Sequence, residues 1–203
     1  MSTSENNKRI AKNTMMLYVR MLLVMGVTLY TSRVVLNILG VEDFGIYNVV
    51  GGTIAMLGFL NASMSISVQR FLSFELGKNN QKNLRDIFNT SLIAHITIAL
   101  IVLILAETIG LWFIKEYLNV PQSRADAVFW VYQFSILTCL CTIIQVPYNA
   151  IIIANERMNI YAYISIVEVV LKLVIVFILL ISESDKLVLY AMLNLFISLI
   201  ISA

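Results

Sequence analysis

The chain has 203 residues, of which 60% are hydrophobic and 13% are charged, and its formal net charge is +2. Soluble domains use about 45 to 50% apolar and about 25% charged residues, so this composition excludes a soluble protein. The small net charge is spread over short loops, which argues against a nucleic-acid partner. The sequence therefore predicts an all-α integral membrane protein, and it indicates no cofactor and no metal site.

The apolar runs were compared with the length of about 20 residues that a membrane-spanning helix needs. They predict a polytopic membrane helix bundle of about six transmembrane helices, a single transmembrane domain over residues 1–203 that is incomplete at its C-terminal end. The predicted spans are 15–38, 46–67, 88–114, 127–149, 160–182 and 187–203. Basic residues cluster at the N-terminus and in the loops around Asn80 and Arg157, which predicts that these parts are cytoplasmic. The loops around Asp43, Arg124 and Asp185 are then periplasmic.

The stretch Arg33 to Gly52, RVVLNILGVEDFGIYNVVGG, connects the first two predicted spans. The turn is predicted at Gly40 to Gly45. Gly40 can adopt the positive φ of a helix end, Asp43 can cap the next helix, and Gly45 permits close approach of two backbones. An Arg followed by N-x-L-G-V-E-D-F-G-I-Y-N resembles the first hairpin of the polysaccharide transporters. These form the O-antigen and capsule flippase family of the multidrug/oligosaccharidyl-lipid/polysaccharide exporter superfamily.

The resemblance implies the N-terminal half of a two-lobed flippase in the bacterial cytoplasmic (inner) membrane, with its N-terminus in the cytoplasm. Such a protein moves a polyprenyl-pyrophosphate-linked oligosaccharide to the periplasmic leaflet by alternating access, for O-antigen, lipopolysaccharide or capsule synthesis. The implied partners are this substrate, membrane lipid, and a second half or polysaccharide-assembly proteins. Because a pyrophosphate-sugar head must avoid hydrocarbon, the flippase needs a cationic, water-filled cavity.

Three cations within the predicted spans are candidates for binding the anionic head group. Arg20 and Arg33 lie near the ends of the first span, where each either extends to the lipid headgroups or faces an aqueous cavity. Glu168 and Lys172 are four residues apart in the fifth span, so they can pair on one helix face near the bilayer midplane. This pair is either structural or lines a cavity, and the cavity is favoured because transporter sites lie near the midplane. Arg33, preferred over Arg20 by the resemblance, and Lys172 are the first candidates.

Three residues are candidates for coupling transport to protons or sodium: Glu168, His95 and Glu107. His95 and Glu107 lie in the third predicted span, where a titratable group is a functional candidate by default. The alternative for both is a hydrogen bond to a neighbouring helix.

Three local patterns predict further structure. Gly77 to Asp86 reads as a polar turn, and Pro147 is expected to bend or end its helix. In the second span, a stripe of small residues predicts close approach of a neighbouring helix: Gly51, Ala55, Gly58, Ala62 and Ser65.

The sequence contains no catalytic constellation and no phosphate-binding loop, so we do not expect an enzyme. Two rival functions stay open. A multidrug or cation antiporter of the same superfamily would need an acidic cavity, and the embedded cations speak against it. A non-transporting, truncated membrane subunit would need no cavity.

Overall fold

The computed structural model describes residues 3–57, 59–118 and 120–202, with side chains for all of these except 3–6, 9, 10, 57, 59–63 and 115. The helices are α1 Thr3–Leu57, α2 Phe59–Gly77, α3 Gln81–Leu105, α4 Leu111–Tyr117, α5 Ala125–Ala154, α6 Met158–Ile181 and α7 Lys186–Ser202. A π-helical turn, Ala106–Gly110, joins α3 to α4, and a 3₁₀ turn, Gln122–Arg124, precedes α5. Every regular element within these ranges is helical, which confirms the all-α bundle.

Four helical stretches are long and apolar enough to cross a membrane, within the described ranges. They are Ala11–Met56, Gln81–Ile114, Gln122–Ala154 and Met158–Ile181. The helix α7 is also apolar but has only 17 residues. The chain is therefore a multi-pass membrane protein, and the orientation of its N-terminus stays a prediction.

A single residue, Gly40, breaks α1 into a first segment (residues 3–39) and a second segment (residues 41–57). Its backbone has φ 79° and ψ 171°, a conformation that glycine adopts readily because it lacks a Cβ. The positive φ predicted for Gly40 is confirmed. The longer turn, Gly40 to Gly45, is wrong, because one non-helical residue redirects the chain and Val41 already begins the next helical segment.

The two segments of α1 pack against different helices. Ile38, near the end of the first segment, joins an apolar cluster of α6 and α7, whereas Val50 of the second segment is fully buried against α5 and α7. A Cβ built on Gly45 or Gly51 meets no atom of the described residues within 4 Å. The close backbone approach predicted at these two glycines is therefore wrong, and Gly58 and the side chain of Ala62 lie outside the described part of the chain.

The helix α5 is the centre of the bundle, since it packs against α1, α2, α3, α6 and α7. Its fully buried Val131 belongs to the main apolar cluster, together with Val50 and Leu187. Pro147 is buried inside α5, which continues to Ala154. Of the two alternatives predicted for Pro147, a bend or a helix end, the helix end is wrong, because the helix continues beyond the proline.

The connection between α2 and α3 is shorter than predicted. The first turns of α3 include most of the stretch predicted as a polar turn up to Asp86, because Asn79 adopts a positive φ of 55° and Asn80 caps the helix. The Asn80 side chain accepts a hydrogen bond from the Asn83 amide at 3.2 Å, which satisfies one of the free N–H groups of the helix start.

Arg124 ties three chain connections together at one end of the bundle. Its Nη2 donates to Asp43, just after the break in α1, and its Nη1 donates to Asp185 Oδ2 at 2.6 Å. The other Asp185 oxygen accepts from the Leu187 amide at 3.1 Å and so caps α7. We call Asp43, Arg124 and Asp185 the ionic clamp. It brings these three residues together at one end of the bundle, which is compatible with the predicted location of their loops on one side of the membrane, and it engages the Asp43 carboxylate with Arg124.

The π-helical turn is held by Tyr132 of α5. The Tyr132 hydroxyl donates to the main-chain oxygen of Ala106 at 2.7 Å, and the tyrosine is almost completely buried. A Cβ built on Gly110 would overlap the Tyr132 hydroxyl. Residue 110 is therefore best occupied by glycine, because any side chain there would displace the Tyr132 hydroxyl.

We expect Gly110→Ala to destabilise the protein by about 1 to 3 kcal/mol, because the added methyl displaces Tyr132 and breaks its bond to Ala106. Tyr132→Phe removes the overlapping oxygen, so the double variant should lose less stability than the two single losses added together. Thermal unfolding in detergent measures each loss. Gly52→Ala is the matched control, because a Cβ there meets no atom within 4 Å. Equal losses at residues 52 and 110 would contradict this prediction.

Candidate substrate groove

One face of α6 carries a row of polar side chains in an otherwise apolar helix. Tyr161, Ser165, Glu168 and Lys172 follow at spacings of four, three and four residues, which places them on the same side of the helix. Glu168 and Lys172 lie about 15 and 21 Å along the axis from Met158, on either side of the helix midpoint. The predicted position of this pair, near the middle of its membrane span, is therefore consistent with the bounds of α6.

Glu168 and Lys172 form the predicted ion pair. Lys172 Nζ lies 2.6 Å from Glu168 Oε1, and the two side chains are 43% and 38% exposed on the bundle. Charges exposed to hydrocarbon at this depth would each cost at least about 2.5 to 3.5 kcal/mol. We infer that the exposed side of the pair borders water or another protein surface.

Arg20 joins the same face of α6 from the first segment of α1. Its Nε donates to Ser165 Oγ at 2.7 Å, and its guanidinium carbon lies 4.2 Å from the centre of the Tyr161 ring. The guanidinium is thus held by a hydrogen bond and a cation–π contact. In this structure Arg20 binds a neighbouring helix, one turn from Glu168, and its guanidinium does not extend freely to the headgroups.

A polar groove runs from the charged pair across α5 and α7 to the second segment of α1. It consists of two adjoining cavities of about 330 and 260 Å³ that share four lining residues: Tyr47, Thr138, Thr142 and Asn194. The larger cavity, which we call the charged half, also includes Gln145, Glu168, Lys172 and Ser198. The smaller cavity, the neutral half, also includes one polar residue, Ser135, and the apolar or small residues Gly51, Ile54, Ala55, Cys139 and Ala191, and no charged residue is among the described residues that line it.

Arg33, the preferred candidate of the first span, lies away from this groove. It is exposed, and neither Arg33 nor Arg20 is among the residues that line either half. Thirteen residues separate it from Arg20, which puts the two arginines about 140° apart around an ideal helix. The structure therefore brings Arg20 and Lys172 to one face of α6 and leaves Arg33 on another side of α1.

His95 and Glu107 do not line the groove. His95 is completely buried, and its Nδ1 lies 2.8 Å from the Ser91 main-chain oxygen, so Nδ1 carries a hydrogen. Its Nε2 has no hydrogen-bond partner among the described residues. Glu107 lies in the π-helical turn and accepts from the Gln133 amide at 3.4 Å. Of the three coupling candidates, Glu168 alone lines this groove.

Sequence reasoning missed the groove residues of α5 and α7. On α5, Ser135, Thr138, Thr142 and Gln145 follow at spacings of three, four and three residues, and so form one polar stripe on an apolar helix. Polar residues in a membrane helix face protein or water, so this stripe was the available signal.

An all-helical bundle with an ion pair and a polar groove at mid-depth is characteristic of a polytopic membrane transporter. A family model described as MatE matches residues 17–178. The chain belongs to the MatE family, and is thus a transporter of the multidrug/oligosaccharidyl-lipid/polysaccharide exporter superfamily. Members of this family are transporters, consistent with the expectation that the chain is not an enzyme. Searches among curated proteins and among solved structures found no match.

Proposed function

We propose that this chain is the transporter segment of a lipid-linked oligosaccharide flippase for cell-surface polysaccharide synthesis. It lies in the bacterial inner membrane with its N-terminus in the cytoplasm. The observation that carries the proposal is the charge along the polar face of α6, where Arg20 and Lys172 outnumber Glu168. A net positive face attracts a pyrophosphate head group, whereas a cationic drug requires net negative charge.

Lys172 is the residue we assign to the pyrophosphate. Its ammonium is engaged with Glu168, so an anionic head group competes with this carboxylate. At 4 Å and an effective dielectric constant of 20, two unit charges interact by about 4 kcal/mol. Protonating Glu168 removes its attraction to Lys172 and its repulsion of the ligand, which makes Glu168 the first candidate for proton coupling, ahead of His95 and Glu107.

The partial exposure of the charged pair supports a partner surface facing the groove. A second half or a second copy would enclose the groove and convert it into the central cavity that alternating access requires. The lipid tail would stay in the surrounding hydrocarbon while the head crosses in water.

The test uses the purified chain in vesicles that contain a fluorescent polyprenyl-pyrophosphate-linked sugar, with a cationic dye supplied separately. We expect the labelled lipid to change leaflets in a protein-dependent manner, as measured by chemical quenching of the outer leaflet, and the dye not to accumulate. Dye transport without lipid movement would support the multidrug or cation antiporter. Binding of the labelled lipid without transport of either probe would mean that a second half is required, whereas neither binding nor transport would support a non-transporting membrane subunit.

A further inference from the structure

We propose that two sets of exposed aromatic side chains contact the bilayer at the boundary between lipid headgroups and hydrocarbon, and thereby fix how deep the bundle sits. The first set, which we call the clamp-side belt, lies at the end of the bundle that carries the ionic clamp: Trp112, Phe113, Tyr117, Phe129 and Trp130. The second set, the opposite belt, lies at the other end: Tyr18, Tyr148 and Tyr163. Lipid contact of this kind follows from the multi-pass fold and is independent of the proposed substrate.

Tryptophan and tyrosine are the side chains that favour this boundary. Each combines a large apolar ring with one polar group, so the ring can lie against hydrocarbon while the N–H or O–H reaches water. Among the described side chains, every exposed tryptophan and tyrosine except Tyr30 belongs to one of the two belts. The residue types therefore fit a lipid interface.

The two tryptophans of the clamp-side belt lie at the same depth on neighbouring helices. The Tyr132 hydroxyl of α5 crosses Gly110 and bonds to Ala106, which fixes the register between α5 and the helix that runs from α3 to α4. Trp112 follows Gly110 by two residues, and Trp130 precedes Tyr132 by two residues. Because the two helices run in opposite directions, both tryptophans lie about 3 Å beyond this contact, towards the clamp.

The members of the opposite belt also share one depth, on three helices. Tyr148 lies six residues before the end of α5, and Tyr163 lies five residues after the start of α6. Both are thus about 7.5 to 9 Å along their helices from the short connection between them. Tyr18 lies two residues before Arg20, whose bond to Ser165 places this turn of α1 beside the same part of α6.

The spacing of the belts matches the thickness of the hydrocarbon core of a bilayer. Trp130 and Tyr148 are 18 residues apart on α5, which corresponds to about 27 Å at 1.5 Å per residue. Tyr163 likewise lies 18 residues before Ile181, where α6 ends. The hydrocarbon core is about 30 Å thick. A contact with water or with another protein imposes no such spacing, so the spacing favours lipid as the occupant of both belts.

The two boundaries also fix the depth of the charged groups. Arg124 lies six residues before Trp130, about 9 Å outside the hydrocarbon, where the ionic clamp avoids the cost of placing charge in lipid. Lys172 lies nine residues after Tyr163, or about 13.5 Å, which is half of the distance of about 27 Å between the belts. The Cα of Lys172 is therefore at the bilayer midplane, and Glu168 is about 6 Å nearer to the opposite belt.

The test uses the tryptophan fluorescence of the purified chain in phosphatidylcholine vesicles, because Trp112 and Trp130 are the only tryptophans of the sequence. The vesicles contain lipid that is brominated either near the headgroup end of its acyl chains or near their methyl end, since bromine quenches an indole only at close contact. We expect the shallow label to quench about twofold more than the deep label. Trp112→Phe and Trp130→Phe, which leave one reporter each, should give the same order. Equal or stronger quenching by the deep label, or quenching by neither label, would overturn the clamp-side belt.

Three further reporters, placed in the chain that carries both Trp112→Phe and Trp130→Phe, test the spacing. Tyr148→Trp and Tyr163→Trp should each be quenched more by the shallow label, because they report on the second boundary. Leu137→Trp is the matched control, since Leu137 is exposed on α5 and lies about 10.5 Å deeper than residue 130, so the deep label should quench it more. The two boundaries are wrong if residue 137 gives the same order as residue 130, or if the shallow label does not quench residues 148 and 163 more.

Discussion

Lys172→Ala should reduce transport of a pyrophosphate-linked lipid about tenfold or more, because a hydrogen bond from the ammonium to the charged head group is worth about 1.5 to 3 kcal/mol. Protein level should stay normal. An exposed i, i+4 ion pair contributes only about 0.3 to 0.5 kcal/mol to stability. The loss of transport can therefore be attributed to the missing charge. Flipping of the fluorescent lipid in vesicles, normalised to the amount of reconstituted protein, is the measurement.

The control for this prediction replaces both charges at once. Lys172→Met together with Glu168→Gln leaves no unpaired charge, so it should fold normally and still fail to transport. Glu168→Gln alone preserves the ammonium and should keep lipid binding. Lys172→Arg should retain part of the activity. Normal transport by Lys172→Ala at normal protein level would remove Lys172 from the substrate path and leave Arg20 and Arg33 as candidates.

Arg124→Ala should destabilise the protein by about 3 kcal/mol, at the lower end of the range for breaking a buried ion pair. Asp43 is 7% exposed, so it would be left as a carboxylate without its cation. Arg124 itself is 33% exposed, which places the expected loss at that lower end. Arg124→Lys should recover only part of the loss, because a single ammonium does not reproduce the two-pronged contact with Asp43 and Asp185. Thermal unfolding in detergent gives the values.

Two variants separate the contributions to the ionic clamp. Asp43→Asn in the Arg124→Ala background removes the uncompensated charge and should recover stability. Asp185→Asn alone should have a small effect, because asparagine can still cap α7 through its side-chain oxygen. If Asp43→Asn fails to recover any stability, the buried carboxylate is not the source of the loss.

Hydropathy was sufficient to predict the class of fold, because the bilayer imposes a helix length that the sequence must match. The predicted spans 88–114 and 127–149 fall within helical stretches long enough to cross a membrane, and the predicted span 160–182 extends one residue beyond such a stretch. The predicted span 46–67 does not correspond to one helix, since α1 ends at Leu57 and α2 begins at Phe59.

Local chemistry predicted Gly40, since few residues other than glycine tolerate its φ. The boundaries at Asp86 and Pro147 were wrong for a common reason. Polar residues were interpreted as a turn and proline as a possible helix end, whereas the structure caps α3 at Asn80 and continues α5 beyond Pro147.

The candidate site could be predicted only where its residues belong to one helix. Glu168 and Lys172 are four residues apart, so helical periodicity alone brings them together. Arg20 contacts Ser165 across 145 positions of sequence, and a hydropathy pattern does not specify which faces of α1 and α6 meet. Arg33 was preferred over Arg20 because of the family resemblance, which does not specify these contacts either.

The π-helical turn between α3 and α4 determines which side of α4 faces the bundle. Ile114 lies eight positions after Ala106. In an uninterrupted α-helix, these two residues would therefore point about 80° apart around the helix axis, beyond two full turns. Both residues are nevertheless buried against the bundle. A π turn contains one more residue than an α turn, and this extra residue brings Ala106 and Ile114 to the same side of the helix. Removing one residue from 106–110 would leave Gly110 and Ile114 on a different side from the one that now packs. The packing of this segment therefore constrains its number of residues as strictly as it constrains the side chains.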